Sequence, residues 1–104
     1  KIDWFINKIL HLRIFEDENG KMNKDILQVN GEILLVSQFT LYGNCLNGRR
    51  PDFIQSAKGE VAKLLYDEFV ERFQQRYLIK TGLFGADMKV ALINDGPVTF
   101  IIEN

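Results

Sequence analysis

The chain has one cysteine and one histidine among its 104 residues, and each scarcity closes off a class of protein. A lone Cys45 cannot form an internal disulfide or a multi-thiolate metal site, which argues against a small secreted disulfide scaffold and for a reducing compartment, the cytoplasm. A single His11 leaves a Ser-His-Asp hydrolase with one base only. That base sits on the polar side of the first predicted helix, far in sequence from any candidate nucleophile. Clusters of metal-ligating His and Cys are absent, and neither GxGxxG nor a P-loop pattern occurs. No apolar run approaches the ~20 residues that span a bilayer. Thirteen basic and fourteen acidic residues give a formal charge of -1, so any contact with nucleic acid is local rather than driven by a field over the whole surface.

What is present is a real core for one domain, with 46% hydrophobic residues. Ile2, Phe5, Ile6, Ile9 and Leu10 recur at the spacing of one helix face, predicting a helix that ends near His11. Residue 1 is Lys and opens directly into this pattern, so the chain reads as a fragment. Leu12 to Phe15 reads as a short strand, and Asn19-Gly20 supplies the positive φ of a tight turn. Asn30-Gly31 is a second turn signal. Glu32 to Tyr42 predicts a central strand, its Ile33-Leu34-Leu35-Val36 run suggesting burial on both faces. Residues 43–53 form a loop with the adjacent pair Arg49-Arg50. From about Lys58 to Tyr77, the positions Ala62, Leu65, Tyr66, Phe69, Val70 and Phe73 make the apolar stripe of a long helix, with Glu68 four residues before Arg72. Lys89 to Ile93 and Val98 to Ile102 read as strands joined through NDGP.

Two stretches carry chemical information. SQFTL ends an apolar strand with three hydrogen-bonding residues, Ser37, Gln38 and Thr40. Either the strand has reached water at a sheet edge, or these groups line a cleft of the kind found where strands meet loops. In NDGPVTF, Asn94-Asp95-Gly96 already makes a turn, so Pro97 adds a ring, removes a donor and admits a cis bond. This is a rigid turn or a backbone wedge, and spacing does not choose between them. Phe84 and Met88 fit loop-anchoring core residues as well as site residues.

Ser37-Gln38-Phe39-Thr40-Leu41 together with Asn94-Asp95-Gly96-Pro97-Val98-Thr99 resembles the paired signature of the D-aminoacyl-tRNA deacylases, the D-tyrosyl-tRNA deacylase family. LRIFEDENGKM, GRRPDF, LYDEFVERF and TGLFGADM resemble it too, so the likeness covers essentially all 104 residues. It implies a single domain over residues 1–104 that lacks the family's N-terminal strands, including a Gln-Arg-Val type segment. The implied fold is α+β, a curved, mostly antiparallel sheet with helices packed on it, forming a homodimer with active sites at or near the interface.

The implied reaction is hydrolysis of the ester joining a D-amino acid to the terminal ribose of tRNA, and of glycine mischarged on the alanine tRNA, with no metal or organic cofactor. Ser37, Gln38, Phe39 and Thr40 would line the attacked ester. Ala62 and Phe84 would border the pocket, and Met88 would contact the terminal adenosine. Gly96-Pro97, supported by Asn94, Asp95, Val98 and Thr99, would form a cis peptide that enters the partner's pocket and excludes L side chains. Thr40 is the natural candidate nucleophile. The chain supplies it no histidine base, so backbone N–H groups near Phe39 and Thr40, with the ribose 2′-hydroxyl or a water, are expected to do more than a covalent step. The alternative is a non-catalytic module of the same fold that binds the tRNA end. A small structural dimer without a ligand is a third reading.

Overall fold

Helix α1 spans Ile2–His11 in a computed structural model that describes residues 1–104, as the apolar spacing predicts. Its inward face buries Ile6 and Leu10, with Ile2 and Ile9 packed at the edge of the same cluster. Asp3 in the first turn and Lys8 in the last complement the helix dipole. Leu12 ends the helix in an extended conformation, its N–H donating to the Lys8 carbonyl at 3.0 Å.

The next element is an antiparallel hairpin of β1, Phe15–Glu16, and β2, Met22–Lys24. Its turn is organised by Asp17, whose carboxylate accepts the backbone N–H groups of Asn19 at 2.9 Å and Lys21 at 3.1 Å. Those two bonds, Lys21 first, hold the Asp17 carboxyl below its ordinary pKa, because they favour the charged acceptor. Glu18 is lowered as well, by a backbone N–H bond of its own residue and then by Lys24, 3.0 Å away. Gly20 takes the positive φ of 74°.

Residues 25–31 make a single helical turn locked by a reciprocal pair. The Asp25 N–H donates to Gln28 Oε1 at 2.8 Å, and the Gln28 N–H donates to Asp25 Oδ1 at 2.9 Å. At its end Asn30, not Gly31, carries the positive φ of 51°. Gly31 serves a different need. A Cβ there would lie 2.7 Å from Cγ1 of Ile26, which this turn buries in the core.

Strand β3, Ile33–Leu35, pairs in parallel with β4, Ile79–Thr81, in the register Ile33↔Ile79, Leu34↔Lys80 and Leu35↔Thr81. Between them run a 3-10 turn, Phe39–Tyr42, a loop closed at its neck, and helix α2, Gly59–Gln74. Phe73 on α2 is fully buried against Ile6, Leu10, Ile26 and Ile79, with Phe69, Val70 and Tyr77 around it. Burying a side chain of this size contributes roughly 1.5–3 kcal/mol. Arg72 reaches Glu68 one turn back at 2.7 Å and Asp3 of α1 at 3.5 Å, while the Tyr77 hydroxyl donates to the Gly31 carbonyl. The fold is α+β, two helices enclosing a small core against two short sheets, one antiparallel and one parallel. No helix is long and apolar enough to cross a membrane.

Several sequence expectations change, the first being the strand read over Leu12–Phe15, since Leu12 still caps α1 and pairing covers only Phe15–Glu16. The strand expected over Glu32–Tyr42 stops at Leu35, because β4 offers only three residues to pair with, and the chain then turns into the 3-10 segment. Leu34 is 57% exposed, so β3 is not buried on both faces. The segments Lys89–Ile93 and Val98–Ile102 have strand composition but pair with no neighbour in this structure. The long helix is α2 alone, three residues short of Tyr77, since Arg76 and Tyr77 instead fold their N–H groups onto the Phe73 carbonyl.

Candidate active site

Beyond Leu35 the chain leaves the sheet and lines a cleft of ≈ 850 Å³. One wall is Ser37, Gln38 and Phe39, brought there by the end of β3. A second is the first half of α2, presenting Ala62 and Tyr66. The third is the loop after β4, with Leu83, Phe84 and Met88. Six residues singled out from sequence, Ser37, Gln38, Phe39, Ala62, Phe84 and Met88, therefore meet around one space although they span 52 positions of the chain, 37 to 88.

The walls are aromatic, one pair T-shaped and the other tilted. Phe39 meets Phe53 at 5.0 Å between ring centroids, and Tyr66 meets Phe84 at 5.6 Å. Backbone carbonyls near the strand end are anchored by hydroxyls of the opposite walls. Ser56 Oγ donates to the Phe39 carbonyl at 3.3 Å, and Tyr66 Oη donates to the Leu35 carbonyl at 3.2 Å. Met88 is fixed from behind, its Sδ accepting the Leu83 N–H at 3.4 Å. Gly82 permits this closeness. A Cβ on it would lie 3.0 Å from both Sδ and Cε of Met88 and 3.6 Å from Cγ1 of Val36. Gly43 allows a similar approach to Phe53, 3.0 Å from the site of its missing Cβ.

Thr40 does not line the cleft but stands beside it, its Oγ1 accepting a hydrogen bond from Nε2 of Gln38. The amide acts here as the donor, so this bond orients the hydroxyl without taking its proton. Gly96 and Pro97, joined by a cis peptide bond, lie outside this cleft on an exposed segment with Asn94, Asp95, Val98 and Thr99. Within one chain, only the first of the two signature motifs lines the cleft. The cleft also contains residues that sequence reasoning did not assign to it, among them Phe53, Tyr66 and Ser56. Phe53 and Tyr66 lie inside GRRPDF and LYDEFVERF, the stretches that carry the family resemblance, so the signal was present without a role attached. Ser56 carried no such signal.

Cationic groups edge the site. Lys58 is part of its lining at the N-cap of α2. Arg49 and Arg50 are exposed on the neighbouring loop, which is closed by a bridge between Asn44 and Asp52 with N–H···O distances of 2.8 and 3.0 Å. No group of three or more His, Cys, Asp or Glu side chains is placed to hold a metal ion.

Comparison with known proteins finds matches along essentially the whole chain. The sequence profile of the family described as D-Tyr-tRNA(Tyr) deacylase matches residues 1–103. A D-aminoacyl-tRNA deacylase of Protochlamydia amoebophila is 59% identical over 105 aligned positions, covering 100% of this chain and 70% of that protein. One of Sulfurihydrogenibium is 54% identical over 103, covering 99% and 70%. Among solved structures, the c-Myc DNA Unwinding Element Binding Protein superposes with a TM-score of 0.83 at 45% identity, over 94% of this chain and 68% of that one.

Proposed function

Since the chain belongs to the D-Tyr-tRNA deacylase family, we propose that it hydrolyses the ester joining a D-amino acid to the 3′-terminal ribose of tRNA, and that the aromatic-walled cleft receives that end. The observation carrying this reading is the convergence of Ser37, Gln38, Phe39, Ala62, Phe84 and Met88 on one space from separate segments. An aminoacyl ester is already activated, so the site needs chiefly to orient it and stabilise the developing oxyanion. Backbone N–H groups near Phe39 and Thr40 are assigned that role, each such donor contributing about 2.7–4 kcal/mol in comparable sites. The ribose 2′-hydroxyl or a positioned water completes the hydrolysis. Thr40, whose Oγ1 accepts from the Gln38 amide and which the sequence supplies with no histidine base, is assigned a place beside the ester rather than a covalent role.

Discrimination is assigned to Gly96-Pro97 of a second copy of the chain, in a homodimer of single-domain subunits working in the cytoplasm. Main chain at that position would crowd the space of an L side chain while a D side chain points elsewhere, so selection is by exclusion and tolerates many D-amino acids. Glycine has nothing to exclude, which extends the substrates to glycine mischarged on the alanine tRNA. Arg49, Arg50, Lys58 and Lys89 are assigned to nearby phosphates.

Incubation with D-Tyr-tRNA and L-Tyr-tRNA side by side tests the activity: release of tyrosine from the D ester alone supports it, whereas binding without release identifies a tRNA-end module. A covalent aminoacyl adduct trapped on Thr40 would overturn its assignment. If the four cations meet phosphates, binding weakens with added salt at a slope of up to about 0.9 per contact, the duplex value; a flat response removes them.

A further inference from the structure

We propose that Tyr66 is a positioning residue for the segment 37–40, acting through the Leu35 carbonyl; this rests on the reading of the cleft given above. Leu35 is the last paired residue of β3, opposite Thr81, and the cleft wall begins two residues later at Ser37. Its carbonyl accepts two hydrogen bonds, the Gly82 N–H at 3.1 Å and Tyr66 Oη at 3.2 Å. The first belongs to the sheet, extending the β4 pairing by one residue. The second comes from α2, thirty-one positions away, and joins the helix wall of the cleft to its strand wall.

Tyr66 is half-buried and forms a wall of the cleft, with its ring 5.6 Å from that of Phe84. Ring and hydroxyl therefore do separable things. The ring gives the cleft its shape, and the hydroxyl fixes where the strand ends relative to the helix. Reactions that depend on alignment are sensitive to this, since a misplacement on the order of 1 Å can cost ~10²-fold in rate. Removing the hydroxyl alone leaves the Leu35 carbonyl bonded to Gly82, so no acceptor is orphaned and the sheet keeps its register.

The test uses the full chain, with Tyr66→Phe, Gln38→Ala and the double variant measured on D-Tyr-tRNA for kcat, KM and melting temperature. Tyr66→Phe is expected to lower kcat by about 3- to 10-fold, one ordinary hydrogen bond expressed as a rate ratio, with KM and melting temperature unchanged. Because both residues act on the same segment, the double variant is expected to lose less than the product of the single losses. Wild-type kcat in Tyr66→Phe alongside an impaired Gln38→Ala overturns the role of Tyr66 and leaves the cleft reading standing. Failure of the unaltered chain to release tyrosine from D-Tyr-tRNA overturns the cleft reading, and this proposal with it. A loss in Tyr66→Phe that follows a lowered melting temperature, or that multiplies independently with Gln38→Ala, assigns Tyr66 to packing and overturns the proposal.

Discussion

Helix α2 has two ends built from one apolar stripe, and they do opposite work. At its C-terminal end Phe69, Val70 and Phe73 meet α1 and β4, and Phe73 has no exposed surface. At its N-terminal end Ala62 and Tyr66 stay half-buried along an open cleft. Helical periodicity is the same at both. What differs is what the rest of the fold puts opposite them, a closed core in one case and the strand end and post-β4 loop in the other. All five buried residues lie between Ile6 and Ile79, and none belongs to the cleft. Stability and site are thus segregated along a single element.

Substitutions at the two ends sharpen that contrast. Phe73→Ala is expected to cost about 3–5 kcal/mol of stability, as for other fully buried aromatics, read from urea denaturation; a cost near zero would mean that the core is not where the structure puts it. Phe84→Ala, at the cleft, is expected to lower kcat/KM by about 10-fold or more, the range for lost apolar pocket contacts, while its stability cost stays near the ~0.5–1.5 kcal/mol of an aromatic pair. The reverse pattern would erase the segregation. Arg72→Ala removes the link between α2 and α1 on the solvent side and is expected to cost less than about 1 kcal/mol, since exposed ion pairs contribute little; a larger thermal shift would make that surface part of the core's support.

The smallest effect belongs to the hairpin, remote from both ends. Asp17 has a folded-state pKa below its ordinary 3.8, so its two N–H bonds stabilise the fold above that value, and their contribution disappears as pH falls through the lowered folded value. Asp17→Asn should therefore reduce the melting temperature slightly near neutral pH, with the gap from the native chain closing in acid. A gap that widens on acidification would reverse the sign.

Legibility in the sequence followed the same division. The face of α1 could be read residue by residue, because a helix satisfies its own backbone and needs only the right spacing. Asn19-Gly20 predicted its turn for the same local reason. At Asn30-Gly31 the turn was legible but not the reason for glycine, which is the approach of Ile26 from five residues back. Strands depend on partners, so Glu32–Tyr42 was overextended, and KVALI and VTFII suggested strands that pair with nothing in this structure. SQFTL could be recognised as unusual, but its neighbours across the cleft, Phe53, Ser56 and Tyr66, come from distant segments whose convergence no local pattern encodes.

The bridge between Asn44 and Asp52 makes the arginine loop a closed collar. Its two backbone bonds separate the tip around Gly48 from Phe53 and the wall behind it. Altering Arg49 or Arg50 on this projection is therefore expected to change how the molecule grips what lies beyond the cleft while the chamber itself stays the same.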